Sequence, residues 1–312
     1  MNQKNKVYVL GSINVDMSIS VDKIPLEGET KSGHEFIKNI GGKGANQAVS
    51  AAKLGAKTYL IAAVGNDIFG KEALTSIEKN GVDTRYVSLA DSHTGMAFIT
   101  RTNRDNRIIL HEGANHKIEQ DKVLEAVQGN PGDILVSQYE IPYEIVKSAF
   151  KKAKSLNMIT ILNPAPSRYL EEDIYPYVDY IILNQTECEI LSGVYPTHEQ
   201  DVKKAASYLF KKGLTKLIVT MGSKGSVYMS KDELYESKAY KIKTVDTTGA
   251  GDAYIGAFAY GLAMHEPITT CLKIASAAGA YACLKEGVED AMGTYSDIEK
   301  LMEESKWAKN QS

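Results

Sequence analysis

Short runs that are almost wholly apolar recur along this chain, with helically spaced segments between most of them. They are KVYVL at 6–10, TYLIAAV at 58–64, DILVSQ at 133–138, MITILN at 158–163, DYIILN at 179–184 and KLIVT at 216–220. A run without a polar face suits a strand covered on both sides, which is the condition of strands inside a parallel sheet. The intervening apolar residues fall at helical spacing over 45–54, 67–80, 143–156, 186–191, 199–212, 250–264, 268–285 and 296–305, and Gly55 and Gly81 stand where two of these helices stop. Strands alternating with helices predict an α/β fold: a mainly parallel central sheet between two layers of helix.

Three stretches depart from that rhythm. Residues 14–25 and 34–40 alternate polar and apolar, and 94–111 holds two alternating runs, TGMAFIT and NRIILHE, around a turn rich in Asn, Arg and Asp. The last reads as a hairpin. Strands with this many outward polar residues do not fit a doubly covered sheet, so they predict a small second sheet. Near the end of the strand series, 226–229 and 238–245 read as an antiparallel pair. No internal repeat or low-complexity linker divides the 312 residues, and they read as one domain.

Composition narrows the functional class. A formal charge of -3 with Lys and Glu interspersed gives no basic face for nucleic acid or an anionic membrane. The N-terminal MNQKNKVYVLGS turns polar too early for a signal peptide, and there is no apolar run of roughly 18 residues to span a bilayer. Cys188, Cys271 and Cys283 are scattered and read as unpaired thiols of a reducing cytoplasm. The six histidines form no ligand cluster, which argues against a zinc enzyme.

The chemistry concentrates in a few loops. In DTTGAGDAYIGAF, 246–258, Gly249, Ala250 and Gly251 precede Asp252 and an apolar helical run. Small residues at a helix start leave backbone N–H groups open to an anion, with a carboxylate beside them. Taken alone, Asp252 reads more readily as a cap. GSINVD, 11–16, follows the first strand, where open α/β sheets bind ligands. Asn14 and Asp16, two apart, project to one side and suit a polyhydroxylated ligand, or else form a solvated turn. GGKGANQA, 41–48, permits close backbone approach around Lys43 and places Asn46 in the next helix. NQTE, 184–187, sets Asn184 and Glu187 on one face, as hard ligands for hydrated Mg²⁺ or as a capping box. TMGSKG, 220–225, is a small-residue loop able to border a nucleotide. G-x-x-x-x-G-K-[ST] is missing, and G-x-G-x-x-G fails at Tyr254, which weakens a dehydrogenase reading.

With these stretches in this order, joined by HEGAN at 111–115 and LNPAP at 162–166, the chain resembles the ribokinase family of sugar kinases over nearly its whole length. The resemblance implies a central sheet between helices with a β-sheet lid, contributed here by about 14–40 and 94–111, that commonly pairs two subunits. It implies ATP-dependent phosphorylation of D-ribose at the 5-hydroxyl. The alternatives are a relative acting on deoxyribose, another sugar or a nucleoside, and, in another class, a sugar-binding regulator without catalysis. Carried over by position, Asp252 matches the base, and Gly249, Ala250 and Gly251 match the anion hole. Asn14, Asp16, Gly42, Lys43, Asn46 and Glu140 match sugar contacts. Asn184 and Glu187 match the phosphate and Mg²⁺ region. Thr220, Met221, Gly222, Ser223, Lys224 and Gly225 match ATP contacts, and Ser276 falls near the adenine. Asp246, Thr248, Ala282, Lys285, Gly287 and Ala291 match a K⁺ site. Ala291 lacks the hydroxyl often found there, so activation by K⁺ is expected to be weakened.

Overall fold

The structure is a computed structural model that describes residues 4–102, 106–167 and 169–310. The apolar runs become strands of one sheet. In chain order they are β1 (Val7–Leu10), β4 (Thr58–Gly65), β5 (Asp83–Ala90), β8 (Ile134–Ser137), β9 (Ile159–Leu162), β10 (Tyr180–Asn184), β11 (Lys216–Thr220), β12 (Ser226–Ser230) and β13 (Leu234–Ser237). Among the described residues the sheet runs β13-β12-β11-β10-β9-β8-β1-β4-β5, parallel from β11 to β5 and antiparallel at β12 and β13.

Strand alternation splits the interior in two. Val7 and Val9 enter one core, packed by α1 (Lys43–Lys53), α2 (Ile68–Lys79), α7 (Ala250–Ala263), α8 (Ile268–Ala282) and α9 (Tyr295–Asn310). Tyr8 and Leu10 enter the other, packed by α3 (Gln120–Ala126), α4 (Tyr143–Ser155), α5 (Gln185–Ser192) and α6 (Glu199–Lys211). A strand whose successive side chains serve opposite cores can carry no polar face, which accounts for the unbroken apolar runs.

The second sheet is also present, in the order β3-β2-β6-β7, from β2 (Asn14–Ser20), β3 (His34–Gly41), β6 (Gly95–Arg101) and β7 (Asn106–His111). β2 lies parallel to β6 and antiparallel to β3, and β6 is antiparallel to β7. The expected turn between β6 and β7 covers 103–105, which lie outside the described residues. One face carries exposed Phe36, Phe98 and Ile109.

One expectation is corrected. The antiparallel partner of β12 is Leu234–Ser237, and 238–245 forms no strand. Alternation over 238–245 records one-sided contact, as where Tyr240 packs on the core, and that pattern needs no ladder. The edge strand β5 and the short α3 went unread, because Asp83–Ala90 is only partly buried and lacks the apolar density of the inner strands. Among the described residues, no helix is long and apolar enough to cross a membrane.

Candidate active site

The parallel strands all point their carboxyl ends at one edge, and the chemistry-bearing residues lie there. Ser12 and Asn14 follow β1, Gln138 and Glu140 follow β8, Asn163 follows β9, Asn184 ends β10 and Thr220 ends β11. A cavity of about 230 Å³ at this edge is lined by Lys43, Asn163, Asn184, Glu187, Thr220, Gly249, Gly251 and Asp252, with Ile182, Leu183 and Ile255 as its apolar wall. That volume admits reacting groups and falls short of a whole sugar with a nucleotide.

Asp252 sits in the first turn of α7, yet it does not cap that helix. Its Oδ2 accepts from Asn46 Nδ2 at 3.0 Å and its Oδ1 from Gln47 Nε2 at 2.9 Å. Both donors belong to α1, and two neighbouring helix residues reach one carboxylate only if the helices lie close together. Gly256 provides that closeness: a Cβ there would come within 2.4 Å of the Gln47 backbone oxygen. Ser50 Oγ fastens the same contact by donating to the Ala253 oxygen at 2.8 Å.

Helices α1, α5 and α7 all begin at this cavity, and their first N–H groups fare differently. In α1, Lys43 N–H donates to Glu140 Oε2 at 3.1 Å, Gly44 N–H to Ser12 Oγ at 3.4 Å, and Ala45 N–H to the Ser12 oxygen at 2.9 Å. The chain enters α1 through Gly42 at φ 91, against the backbone of 12–14, where a Cβ would lie 2.8 Å from Asn14 N. In α5, Asn184 and Glu187 form a reciprocal capping box, so the structural reading of NQTE holds. In α7, Ala250 N–H reaches the Thr247 oxygen at 3.3 Å, while those of Gly251 and Asp252 have no partner among the described residues. A Cβ on Gly251 would meet nothing within 4 Å. The result is an open, uncapped helix N-terminus facing the cavity, a ready anion site.

Charge is sorted around that point. Burial, then Glu140 and then Asp252 raise the Asp16 carboxyl to about 6. Asp16 folds back over Gly41, where a Cβ would lie 2.3 Å from Asp16 Oδ2. Asn14 Oδ1 accepts from Asn115 Nδ2 at 2.8 Å, and Asn115 also braces the Ile13 backbone. Glu140 Oε2 accepts from Ser12 Oγ at 2.5 Å. Asp252, above all, holds the Lys43 ammonium protonated by raising its pKa, with Glu140 and Glu187 adding to the effect. Burial pushes the Glu187 carboxyl up, against the Asn184 N–H and Lys43. A buried carboxylate beside a phosphate-sized space, with Asn184 next to it, fits a hydrated divalent cation carried by a nucleotide.

The remaining predicted residues lie outside the cavity lining. Met221 is buried, and Gly222–Lys224 form a short 3-10 turn leading to Gly225. Ser276 is buried in α8 with its hydroxyl 3.0 Å from Ser237 Oγ, behind Gly225, where a Cβ would press on the Ser237 oxygen at 2.0 Å. Asp246 Oδ1 accepts from Thr248 N–H and Oγ1 at 3.0 and 2.8 Å, and Val245 N–H reaches the Cys283 oxygen at 2.8 Å. That bond brings 245–248 to the end of α8, near Ala282. Gly287 turns at φ 93, Ala291 is fully buried, and Lys285 Nζ stands over the Tyr281 ring. Val288 packs behind Gly249, where a Cβ would approach it to 2.7 Å. The segment thus backs directly onto the loop that opens α7.

The motif reading missed Ser12, Gln47, Asn115, Gln138 and Asn163 as parts of the site. Ser12, Gln138 and Asn163 each stand just beyond a strand legible in the sequence, so the strand-end rule was enough to raise them. Gln47 had no such signal apart from its place beside Asn46.

Residues 4–294 match the model of the pfkB family of carbohydrate kinases. The chain is 35% identical over 303 residues to a ribokinase of Haemophilus influenzae, covering 96% of this chain and 99% of that one. It is 34% identical over 301 residues to a deoxyribokinase of Salmonella typhi, covering 95% and 97%. Its structure resembles that of an Arabidopsis thaliana ribokinase complexed with ribose and ATP, with a TM-score of 0.89 and 28% identity, covering 96% of this chain and 99% of the other.

Proposed function

The chain belongs to the pfkB family of carbohydrate kinases, and from that membership we propose that it transfers the γ-phosphoryl group of ATP to the 5-hydroxyl of D-ribose. An ATP-dependent sugar kinase is what the family establishes; the sugar, the residue roles and the monovalent cation are our reading.

The observation that carries the mechanism is the placement of Asp252. Its carboxylate is held by two amides of α1, beside the open N–H groups of α7 and opposite Lys43. A primary hydroxyl is too weak an acid to attack unaided near neutrality. As its oxygen bonds to the γ-phosphorus, its proton passes to Asp252 and the bond from phosphorus to the β,γ-bridging oxygen breaks, releasing ADP. Charge on the transferring group is met by the N–H groups of Gly251 and Asp252 and by the Lys43 ammonium. Glu187 and Asn184 would hold Mg²⁺ through water, and the ion would supply neutralising charge to the phosphates when bound. Thr220 and the 222–225 turn border the nucleotide, with Ser276 behind the turn.

Ribose is favoured by the acidic side of the site. Asp16 and Glu140 are carboxylates with few protein donors, and burial raises the Asp16 pKa. Vicinal hydroxyls are the donors they lack, with Asn14, Asn46 and the 42–43 backbone completing the set. Deoxyribose is the second reading, supported by the deoxyribokinase relative. A further part of the proposal is that K⁺ binds between 246–248 and 282–291 and that two copies pair through the apolar face of the small sheet, which also closes over the sugar. A panel of pentoses, 2-deoxyribose, hexoses and nucleosides assayed with MgATP tests the substrate. Equal kcat/KM for ribose and 2-deoxyribose defeats the ribose assignment.

A further inference from the structure

A line of buried amides leads away from Asp252. Gln47 Nε2 donates to Asp252 Oδ1, and Gln47 Oε1 accepts from Gln138 Nε2 at 2.6 Å. Both glutamines are 0% exposed. Gln138 Oε1 has no hydrogen-bond partner among the described residues and lies over Gly11, where a Cβ would come within 2.2 Å of it.

Two acceptors set the direction of this line, Asp252 Oδ1 at 2.9 Å and, more weakly, Asn163 Oδ1 at 3.4 Å from Gln47 Nε2. An ionised carboxylate only accepts, so Gln47 must turn its NH₂ group towards Asp252 and its oxygen away. That oxygen then needs a donor, and Gln138 provides one. The oxygen of Gln138 is left over, buried against the Gly11 backbone, and an unpaired buried acceptor is costly. The amide order therefore opposes the local preference of Gln138 and serves the carboxylate at the far end. Asn46 differs from Gln47 here. It also donates to Asp252, but its Oδ1 has no partner among the described residues and remains for a ligand. Both ends of Gln47 are consumed inside the protein.

We infer that Gln47 is a positioning residue for phosphoryl transfer, locking the plane of the Asp252 carboxylate, and that Gln138 braces the far end of the Gln47 amide. Without Gln138 the Gln47 oxygen loses its donor, the amide is held at its NH₂ end alone, and the plane of the carboxylate is less firmly fixed. This inference rests on the reading of Asp252 as the base.

The test uses steady-state kinetics of the full chain with D-ribose and MgATP, and thermal melting, for Gln47→Met, Gln138→Met, the double variant and Asp252→Asn. Methionine keeps the length and removes donor and acceptor. Gln47→Met is expected to lower kcat by about 10- to 100-fold, the loss of one hydrogen bond to a charged group, and Gln138→Met by less. The KM for ATP stays within about twofold, since the bond acts on the reacting state. The double variant falls no further than Gln47→Met alone, because Gln138 works through Gln47. A normal kcat in Gln47→Met, or singles whose effects multiply in the double, overturns the inference while Asp252→Asn remains inactive. If Gln47→Met does not fold, Gln138→Met decides, and an unchanged kcat there overturns it. A normal kcat in Asp252→Asn is a different failure, of the base assignment itself.

Discussion

Replacing Asp252 by asparagine separates a base from a helix cap. The substitution keeps size and removes the charge, and its amide brings an NH₂ group to a place where both neighbours already donate. Asn46 Nδ2 stands 3.0 Å from one oxygen and Gln47 Nε2 2.9 Å from the other, so one of these bonds must break. Loss of a general base lowers kcat by about 10²–10⁴-fold. At about 1.36 kcal/mol per decade that is roughly 2.7–5.4 kcal/mol in the transition state. An acidic residue acting only on the helix dipole is worth about 0.3–1 kcal/mol, felt in melting temperature and not in turnover. The two outcomes do not overlap. The assay is ADP release coupled to an indicator enzyme, at saturating sugar and MgATP, with melting in parallel. A kcat within about threefold of the parent, whatever the melting shift, refutes the mechanism, since no base loss is that mild.

Asp16→Asn is expected to lower kcat/KM for ribose by about 10- to 100-fold, the scale of a hydrogen bond to a charged group, while calorimetric binding of ATP is unchanged; the reverse pattern moves Asp16 out of the sugar site. The Asp16 carboxyl stands near 6, above its ordinary 3.8, so in the sugar-free protein its ionisation opposes folding above pH 6 and that opposition is relieved as pH falls below it. Ribose affinity, which needs the ionised form, should rise as pH rises through that window and flatten above it, measured as KM against pH; a flat profile removes the ionised Asp16 from binding. Activity titrated with KCl at constant ionic strength should show weak activation, tightened by Ala291→Ser, whose hydroxyl restores an oxygen ligand; no response in either protein removes the cation site and leaves the kinase intact.

How far the sequence could be read depended on whether a feature was local. Val7–Leu10 and Tyr180–Asn184 announced themselves because a strand between two cores must be apolar throughout, and composition alone records that. The loop around Asp252 was legible for a similar reason: only small residues before an acid leave a helix start open. Asp83–Ala90 was not legible, because a partly buried edge strand carries no density of apolar residues. The expected strand at 238–245 failed because alternation reports a half-buried face and says nothing about a pairing partner. At the site, Asn14, Asp16 and Asn46 stood in short motifs, whereas Glu140 was reached through family likeness alone. Gln47 and Gln138, 91 residues apart, depend on a contact between α1 and the end of β8 that no local pattern encodes. Gly256 belonged to a recognised stretch, yet its task concerns the partner helix and not its own.

On the proposed mechanism, transfer runs in one direction across the cavity. Asp16 and Glu140, which lie outside the cavity lining, are acceptors that suit the hydroxyl donors of a sugar. The cavity itself holds the N–H groups of Gly251 and Asp252, unpartnered among the described residues, and the Lys43 ammonium, donors that suit phosphate oxygens. A sugar placed where the phosphates belong would set its donors against donors, and a triphosphate placed where the sugar belongs would meet the Asp16 and Glu140 carboxylates. Each misplacement leaves polar groups unpaired in a partly dry site, which is far more costly than a lost attraction in water. In the proposed mechanism Asp252 lies on the boundary, an acceptor for the sugar hydroxyl whose own N–H faces the phosphate. On that reading proton acceptance and charge stabilisation come from one residue, and its carboxylate has to be held still with respect to its backbone. That requirement is met by two amides from α1, and it is why the packing of α1 on α7 belongs to the chemistry as well as to the core.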